Sequence, residues 1–530
     1  MGRSYTRREV LIALGLAGPG AAFVAGCTVS PPSRFPPPVH DQPGSGPFPD
    51  GVGSGDPRPG GSSIWTRVAA EGAEPVPVLW MVSQDEAGSS IVASGTAAAV
   101  AANAFCLSIA VDDLPNDAWL YYRFETLGDA PTSSETGRLR TAPATGSTPD
   151  HLRFAFTSCQ QLNDSWFSAH TAIANEPGLD FCVHLGDYIY VNDTSTLSLD
   201  DYRALYRRWR RDPRLRELHA RLPMVAMWDD GEFVNGVDRT IEPTRGANAR
   251  KAWLEAFALP GVVGDRIYRG LTWGSLADLP VLDVRQYRDP AIDAIDLTGP
   301  PGNEAYDPTR TTLGAEQNSW LRSRLAGSAA NWRLVQQGYN IAPWRLVNEE
   351  FLRPFRPDLP PNAGIYAPNE AWDDYQAERR DLLSHLHDTA VTDTVFCSAH
   401  THVFMASALR PDPDNLGSPI VAHDFVSGSL TADPDPRRSI LGSLPFDTAE
   451  SVLGLAERWI VSQNPGMRHV NLIDQGYVIV DVTPDRVEID FRLVDTYDPG
   501  AQPWTGAKFR LPRGGVLETL PAERARGAFA

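Results

Sequence analysis

The sequence predicts an α/β protein in two parts, a small all-β domain followed by a larger domain in which strands and helices alternate. With 530 residues the chain is long enough for two or more substantial cores. Between residues 48 and 145, short aromatic or β-branched segments recur at roughly regular intervals between turn residues, which is typical of a β-sandwich. From residue 150 to 498, strand-like and helix-like segments alternate, which indicates a mainly parallel sheet covered on both faces.

The individual elements are predicted from the spacing of their apolar residues. In the small domain the strand candidates are residues 63–67, 77–82 and 119–124. In the larger domain the strand candidates are residues 152–157, 181–185, 225–228, 279–282, 332–336 and 395–397. Helices are predicted over residues 198–211, 247–256 and 375–387, and a closing β-hairpin over residues 476–482 and 486–494.

The charge of the chain limits its binding partners. Charged residues make up 21% of the sequence and hydrophobic residues 42%, as in ordinary globular proteins. The formal charge of −19 argues against non-specific binding to nucleic acid or to an anionic membrane, because both depend on positive patches. A phosphorylated substrate would therefore need local cations, which bound metal ions can supply.

Residues 1–27 are predicted to be an export signal. Arg7 and Arg8 precede a moderately apolar stretch, residues 10–16, that is too short to span a membrane. Paired arginines are typical of a twin-arginine signal, which carries folded proteins, and a generic signal-peptide start is the alternative. Residues 24–27 resemble a lipobox in which Cys27 is lipidated, and cleavage by an ordinary signal peptidase is the alternative. We expect an extracytoplasmic protein, either secreted or a cell-surface lipoprotein that meets the membrane only through this anchor.

Two segments are predicted to lie outside the packed domains. Residues 28–47 are rich in proline and glycine, which favours an extended, solvated tether. Residues 499–530 form a tail that ends without apolar periodicity, so we expect it to be partly disordered.

The strand predicted over residues 181–185 leads into a candidate site. It is followed by Gly186 and Asp187, with Tyr190 three residues further on. In open α/β sheets, ligand sites lie at the carboxyl ends of the strands. Glycine allows a sharp turn there, and a carboxylate can give one oxygen to each of two metal ions. Taken alone, Asp187 could equally be a turn former or a helix N-cap.

Three further predicted strands end in side chains that can bind metals. Cys159 follows the first strand of the larger domain, and Asp229-Asp230 follow the strand predicted over residues 225–228. His400 and His402 follow the strand at residues 395–397, and because they are two residues apart in extended chain their rings leave on one side. Cys159 can be a core thiol or a ligand, whereas Cys106, Cys182 and Cys397 lie in apolar runs and are expected to be buried free thiols.

Several longer motifs carry a family resemblance that extends from residue 48 to 496. They are GVGSGDP, SSIWTR, TSCQQ, HLGDYIY, MWDDGEFVNG, LDVRQYR, LGAEQNSWL, DDYQAERRDLL, DFVSGSLTA and QGYVIVDVTPDRVEIDF. With them the chain resembles the PhoD-like alkaline phosphatases and the related metal-dependent phospholipases D of the calcineurin-like metallophosphoesterase superfamily. The resemblance implies a four-layer αββα sandwich preceded by a small fibronectin- or Ig-like domain. It also implies hydrolysis of phosphomonoesters, phosphodiesters or both, with a small molecule or a phospholipid head group as substrate.

The resemblance also implies a pair of metal ions. Cys159 and Tyr190 stand where the family binds Fe³⁺, and thiolate and phenolate suit so highly charged an ion. The second ion is expected to be Ca²⁺, with Zn²⁺ or Mn²⁺ as alternatives. Asp187 would bridge the two ions, Asp230 occupies the usual place of an asparagine ligand, and Asn340 is a weaker candidate. The remaining expectations are His400 and His402 as ligands, a catalytic set of Asp187, Asp230 and His402, and Arg285 of LDVRQYR as a substrate-binding residue.

The chain departs from the family pattern at two motifs. The family's WDDHE becomes WDDGE, so Gly231 replaces a histidine expected to contact phosphate and assist the leaving group. The family's GDxH becomes Ala399-His400-Thr401-His402, which is closer to the GHxH of the wider superfamily. The alternative function is therefore a protein that retains metal but is catalytically weak and binds phosphate or phospholipid. A purely structural surface protein is a third possibility, and His423 or His469 could replace the missing acid.

Overall fold

The computed structural model describes residues 38–530 except 129, 163–164, 192–196, 260–261, 263, 293–303, 360, 368–369, 433 and 435–445, and leaves the side chains of 446–450 undescribed. The predicted export signal, Cys27 and the first part of the tether lie outside the described residues. Within the described part of the chain, no helix is long and apolar enough to cross a membrane.

The described part of the chain forms strands in both domains and α-helices in the larger domain. In the amino-terminal part the strands are β1 Val52–Arg58, β2 Gly61–Arg67, β3 Val76–Ser83, β4 Ile91–Ala99, β5 Cys106–Val111, β6 Trp119–Thr126 and β7 Gly137–Arg140. The later strands are β8 Leu152–Thr157, β9 Phe181–His184, β10 Met224–Ala226, β11 Arg269–Trp273, β12 Ala277–Val281, β13 Trp332–Tyr339, β14 Arg345–Asn348, β15 Gly364–Tyr366, β16 Thr394–Ala399, β17 Phe404–Leu409, β18 Ala422–Val426, β19 Met467–Asn471, β20 Gln475–Val482, β21 Arg486–Val494, β22 Trp504–Pro512, β23 Glu518–Leu520 and β24 Ala528–Phe529. The α-helices are α1 Ser168–Asn175, α2 Leu199–Arg210, α3 Pro213–Arg221, α4 Pro243–Ala256, α5 Gly314–Gly327, α6 Gln376–Asp388 and α7 Phe446–Gln463.

Two large sheets form the body of the molecule. The first has ten strands in the order β23-β22-β21-β20-β8-β9-β10-β1-β2-β5, and the second has eight in the order β11-β12-β13-β16-β18-β17-β19-β24. Strands β8, β9 and β10 are parallel neighbours in the first sheet, and β12, β13, β16 and β18 are parallel neighbours in the second. The carboxyl ends of each set therefore lie at one edge of their sheet.

The two sheets pack face to face. The ring of Phe491 on β21 lies 5.2 Å from that of Phe404 on β17 and 6.4 Å from that of Phe425 on β18. On β21 the buried residues Val487, Ile489 and Phe491 alternate with more exposed polar residues, as expected for a strand with one face in a core. Helices α5 and α6 pack leucines against the outer face of the second sheet, while α1 to α4 contribute to the core of the first. The predicted four-layer αββα architecture is confirmed.

The small amino-terminal domain is all-β, as predicted, but it is not separate from the large domain. Its four-stranded sheet, β4-β3-β6-β7, shares an apolar core with β1, β2 and β5. Those three strands continue the ten-stranded sheet, because β1 pairs in parallel with β10. One sheet therefore runs through both domains.

Most predicted elements are present within a few residues of their expected bounds. The hairpin predicted near the end of the larger domain is formed by β20 and β21. The helix predicted from residue 198 is α2, and its start is fixed by a capping box in which the Ser198 side chain accepts from the Asp201 N–H and the Asp201 carboxylate accepts from the Ser198 N–H. Cysteines 106, 159, 182 and 397 are free thiols, and among them Cys106 is only half-buried.

The predictions for the two outlying segments were wrong in part. The tail contains β22, which pairs along β21 and buries Ala507, Phe509 and Leu511. These apolar residues alternate, so the strand period was present in the sequence. The described end of the tether is also packed, since His40 Nδ1 lies 2.8 Å from Asp212 Oδ2 and its ring contacts Phe167.

Candidate metal centre

The predicted ligands converge at the carboxyl ends of β8, β9, β10 and β16. Candidate ligand atoms form two groups, and within each group all of these atoms lie within 4.8 Å of one another. The first comprises Cys159, Asp187 and His402, and the second comprises Asp187, Asp229, Asp230 and His400. Asp187 belongs to both groups, which is the position expected of a bridging carboxylate.

The loops that carry these ligands hold a left-handed backbone conformation. The φ angles are +59° at Cys159, +56° at Asp187, +72° at His400 and +56° at His402. Each such conformation costs a residue with a side chain about 1–2 kcal/mol. The loops are held by hydrogen bonds, such as that from the Cys159 N–H to the Gly186 carbonyl at 3.2 Å. Strain of this kind is concentrated at functional sites, where surrounding structure maintains it.

Gly186 makes the sharp turn that the sequence predicts between β9 and Asp187. Its φ angle is +104°, and a Cβ atom at this position would lie 2.4 Å from the Cβ of Asp229. The loop after β9 therefore passes directly against the loop after β10. Only glycine permits this close approach, which brings Asp187 beside Asp229 and Asp230.

Glu232 ties the two acidic loops together. Its buried carboxylate accepts hydrogen bonds from the N–H groups of Asp187 at 3.0 Å, Tyr188 at 2.7 Å and Asp229 at 2.9 Å. It thereby fixes the distance between the loop after β9 and the loop after β10. Sequence reasoning did not assign this role, although Glu232 belongs to the WDDGE motif.

The shared carboxylate of Asp187 is buried between the two groups. Its Oδ1 accepts from the Gly231 N–H at 2.9 Å, and its Oδ2 lies 3.4 Å from Cys159 Sγ. The Tyr190 hydroxyl lies 3.2 Å from His402 Nε2, so Tyr190 joins the first group. Asp230 accepts from the Gly236 N–H at 2.8 Å through Oδ2, and its Oδ1 lies 3.7 Å from His400 Nδ1.

The electrostatics of the site suit bound cations. Burial raises the pKa of Asp187 well above its usual value, and the nearby Asp230 and Asp229 raise it further. Burial and the Asp187 charge likewise raise the pKa of the Cys159 thiol and of the Tyr190 phenol. Without nearby positive charge, these groups stay protonated. Metal ions that bind here can displace the protons. The donor set of thiol, phenol, carboxylates and imidazoles therefore fits a pair of metal ions.

Asp229 and Arg285 orient His400. Burial opposes a charge on His400, but Asp229 and Asp230 together outweigh burial and raise the pKa of the imidazole to about 9. His400 Nδ1 lies 2.7 Å from Asp229 Oδ2 and 3.1 Å from Arg285 Nη2, and His400 Nε2 lies 3.4 Å from the same Nη2, so both groups fix the ring. Arg285 in turn binds Asp229 through two hydrogen bonds, at 2.5 and 2.8 Å.

Arg285, expected to bind substrate, does not lie in an open part of the site. Its side chain is fully buried, and its Nη1 donates to Glu370 at 3.1 Å. Arg288 also binds Glu370, at 2.9 Å. In this structure Arg285 positions Asp229 and His400 and does not face open space. Neither Asp229 in this role nor Glu370 was identified from the sequence.

Gly231 and the alternative acids can now be placed. A Cβ atom at Gly231 would lie 2.6 Å from the Ile189 carbonyl oxygen and 2.7 Å from Asp187 Oδ1, so a side chain has no room here. His423 lies near the amino end of β18, away from the ligand edge, and His469 packs on Phe529 with ring centroids 4.4 Å apart. Asn340 follows β13 and is buried, with its Nδ2 donating to the Ala342 carbonyl at 2.7 Å. The hypothesis that His423 or His469 serves as the acid is not supported by this placement.

Comparisons with known proteins agree with this geometry. The family model described as PhoD-like phosphatase matches residues 154–491, and that of the PhoD-like phosphatase N-terminal domain matches residues 34–143. Alkaline phosphatase D of Bacillus subtilis (strain 168) is 32% identical over 502 residues, which cover 87% of this chain and 80% of that protein.

Two solved structures are similar as well. The structure of PhoD is 30% identical with a TM-score of 0.78 and covers 91% of this chain and 94% of its own. The purple acid phosphatase PPD1 from yellow lupin (Lupinus luteus) seeds is 10% identical with a TM-score of 0.53, over 88% of this chain and 75% of its own, and it shows the shared fold alone.

The fold is that of the metallophosphoesterases, and the family matches make the chain a hydrolase with two overlapping groups of candidate metal ligands. The chain belongs to the PhoD-like phosphatase family, and it is a phosphatase.

Proposed function

We propose that the protein is an exported, metal-dependent phosphoesterase that hydrolyses phosphomonoesters, phosphodiesters or both. The observation that carries the proposal is Asp187, buried at the junction of two candidate metal-binding groups. A pair of metal ions, when bound, supplies a hydroxide nucleophile near neutral pH and neutralises charge on the phosphoryl oxygens.

The side chains divide this task between them. Cys159, Tyr190 and His402 would hold one ion and Asp230 and His400 the other, with Asp187 shared. Glu232 holds the loops of Asp187 and Asp229 in register, and Arg285 keeps Asp229 charged beside His400. Because Arg285 is enclosed, the phosphoryl group would be oriented chiefly by the metal pair.

Turnover of an aryl phosphate and an aryl phosphodiester by the metal-loaded protein tests the proposal. Asp187→Asn should lower kcat/KM for both by at least about 100-fold, more than is typical for a residue that only supports a ligand. Asp388→Asn, at the exposed end of α6, is the matched control and should leave activity unchanged. No turnover by the wild-type protein with two metals bound would refute phosphoesterase activity.

We infer that Fe³⁺ occupies the group containing Cys159 and Tyr190, with Ca²⁺ as the partner and Zn²⁺ or Mn²⁺ as alternatives. The support is the pairing of a thiol and a phenol on one side of Asp187 and of carboxylates on the other. The purified protein should show a visible charge-transfer band that bleaches on reduction. Cys159→Ala should remove both the band and the iron, whereas Cys182→Ala, in the core of β9, should keep both. A colourless, active protein with zinc in both sites would refute the iron assignment.

The second candidate function is that of a metal-retaining but catalytically weak binder of phosphate or phospholipid. Gly231 favours it, because the position of the expected acid carries no side chain and has no space for one. Without that proton donor, substrates with poor leaving groups should suffer most. Phosphate binding with two metals bound, but no turnover even of aryl esters, would support this candidate over the first.

We also propose export by the twin-arginine route with lipidation at Cys27. Its support is the sequence of residues 1–27, with Arg7 and Arg8 before the apolar stretch. Replacing both arginines with lysine should leave the protein in the cytoplasm, and Cys27→Ser should release it from the membrane fraction after export. Efficient export of the lysine form would refute the twin-arginine assignment.

A further inference from the structure

The chain after β18, residues 427–432, crosses from the second large sheet to the first. It is the later part of the sequence motif DFVSGSLTA. At its start the Ser427 N–H donates to the Ser398 carbonyl on β16 at 2.8 Å, and near its end the Leu430 N–H donates to the Ser158 carbonyl at 2.9 Å. Ser398 belongs to the second sheet and Ser158 follows β8 of the first. We call residues 427–432 the inter-sheet segment.

The inter-sheet segment holds the backbone of the loop that carries Cys159. The N–H groups of Thr431 and Ala432 both donate to the Cys159 carbonyl, at 3.3 and 3.1 Å. The Thr431 hydroxyl donates to the Gln161 carbonyl at 2.8 Å, and Thr431 is 3% exposed. These hydrogen bonds help to keep Cys159 in its left-handed conformation, which a residue with a side chain does not adopt without support.

The ligand group of Cys159, Asp187 and His402 draws on both sheets. Cys159 and Asp187 follow strands of the first sheet, whereas His402 follows β16 of the second. Such a group needs a contact that fixes the ligands of one sheet relative to those of the other. For the second group, Arg285, which follows β12 of the second sheet, makes such a contact by binding Asp229. For the first group, the inter-sheet segment supplies it.

The start of the same motif is anchored to the second sheet. Asp424 on β18 is fully buried, and its Oδ1 accepts from the Ser398 hydroxyl at 2.6 Å. Its Oδ2 accepts from the N–H groups of Ile341 at 3.1 Å and Ala342 at 3.0 Å. Ser398 lies two residues before His400. The motif is therefore fixed to the ends of β13 and β16 before it crosses to Cys159.

We propose that Thr431 is a positioning residue for the metal centre, which sets the place of the Cys159 thiol relative to His402. The inference rests on the proposed role of Cys159 as a metal ligand. Without the Thr431 hydroxyl, the Gln161 carbonyl loses this donor and the Cys159 loop is held less firmly. The ion bound by Cys159 is then weakened, whereas the ligands of the second group keep their supports, Glu232 and Arg285.

Cobalt titration of the metal-free protein tests the proposal, because Co²⁺ bound to a thiolate shows a charge-transfer band in the near ultraviolet. Thr431→Val keeps the shape of the side chain and removes its hydroxyl. It should weaken the Co²⁺ binding that this band reports by at least about tenfold, as is typical when a group that orients a ligand is lost. Thr431→Ser, which keeps the hydroxyl, should restore wild-type affinity. Equilibrium dialysis should show that Thr431→Val still retains the other ion.

Thr66→Val is the matched control. Thr66, on β2 of the small domain, is fully buried, and its hydroxyl donates to the Gly51 carbonyl at 2.9 Å. Thr66→Val and Thr431→Val remove the same kind of hydrogen bond, so both should lower the free energy of unfolding, measured in denaturant, by similar amounts. Only Thr431→Val should weaken the cobalt band. Wild-type cobalt affinity in Thr431→Val, or an equal loss of affinity in Thr66→Val, would overturn the proposal.

Two measurements separate this inference from the ligand assignment and from the folding of a variant. A cobalt band that survives in Cys159→Ala would refute Cys159 as a ligand, and this inference with it. In the wild-type protein, Co²⁺ should slow amide hydrogen exchange in the inter-sheet segment, because a bound thiol restrains the loop whose carbonyls its N–H groups hold. Exchange there that Co²⁺ leaves unchanged would overturn the positioning role while the ligand assignment stands.

Discussion

Glu232 is the residue on which the spacing of the acidic ligand loops depends. Glutamine at this position has one oxygen where the carboxylate has two, and its NH₂ group would face an N–H donor of Asp187, Tyr188 or Asp229. We expect Glu232→Gln to lower metal affinity and kcat/KM by about 10–100-fold, as is typical of groups that hold metal ligands. Metal titration and steady-state kinetics measure both effects.

The control for this variant is Glu71→Gln, on an exposed turn of the small domain. It should change neither metal affinity nor kcat/KM. If Glu232→Gln binds two metals with wild-type affinity and retains full activity, then Glu232 does not set the spacing of the ligand loops.

Position 231 requires glycine because there is no space for a side chain, and the Gly231 N–H also donates to Asp187. Alanine would place its Cβ 2.6 Å from the Ile189 carbonyl oxygen, so either the loop after β9 or the loop after β10 must shift. We expect Gly231→Ala to destabilise the protein by about 1–3 kcal/mol and to weaken metal binding. Denaturant unfolding and metal titration measure these effects.

Gly327→Ala, at the end of α5 with no atom within 4 Å of the added Cβ, is the matched control and should be neutral or slightly stabilising. Full metal binding by Gly231→Ala would show that the loop yields freely. The crowding at Gly231 also means that a histidine introduced there would displace Asp187 instead of supplying a proton to the leaving group.

The predicted ligands were recognisable because each follows a strand in a sequence that marks the strand's end. Cys159, Asp187, Asp230, His400 and His402 all lie at such ends, and the structure brings them together. The residues that hold them were harder to find. Glu232 acts through backbone N–H groups, and Glu370 lies in an irregular connection after β15, so neither leaves a periodic signal in the sequence.

At the scale of one element, Asp374 shows how a helix start responds to pH. It lies in a 3-10 turn, Trp372–Tyr375, directly before α6. It is 4% exposed, its Oδ2 has no hydrogen-bond partner, and burial raises its pKa from 3.8 to about 7. A carboxyl whose pKa is raised by folding contributes stability below its unfolded pKa and loses that contribution as pH rises through the folded pKa.

We therefore expect Asp374→Asn to stabilise the protein at pH 8, by up to about 4 kcal/mol, and to have little effect at pH 4. The neighbouring Asp373→Asn is the contrasting variant, because Asp373 binds Arg379 at 2.5 Å and accepts from the Trp344 N–H at 3.0 Å. It should destabilise the protein at both pH values. Unfolding free energies measured between pH 4 and 8 test this, and a pH-independent effect of Asp374→Asn would contradict it.

Elements with a clear apolar period were predicted well, and elements whose pairing depends on distant parts of the chain were not. Strand β8 was predicted with its observed bounds, because all but one of its residues are buried and it is followed by polar residues. The tail was misjudged because its last residues, 523–530, show no apolar periodicity, and β24 is only two residues long. Its pairing with β19 depends on a sheet edge more than fifty residues earlier in the chain, which no local pattern reveals.

At the scale of the whole molecule, the small domain is part of the scaffold of the metal centre. Its strand β1 covers the edge of β10, the strand that carries Asp229 and Asp230 at its end. Arg269 on β11 also binds Asp56 on β1 through two hydrogen bonds, at 2.6 and 2.7 Å. Composition and turn spacing predicted two domains in series, but the pairing of β1 with β10 crosses some 170 residues of sequence and could not be read from either segment alone.

This shared sheet predicts that the two domains fold and unfold as one unit. A chain beginning at residue 150 would expose the edge of β10, an unpaired buried strand that favours aggregation. We expect this fragment to be insoluble or to lack a cooperative transition, and the full chain to unfold in a single transition followed equally by calorimetry and by circular dichroism.

A full chain cut after folding, at a protease site inserted between residues 143 and 149, is the control. It should keep both pieces together with the metals bound, because every contact between the domains remains. Two separate transitions in the uncut chain, or a soluble and active fragment from residue 150, would show that the small domain is an independent attachment and that the metal centre does not depend on it.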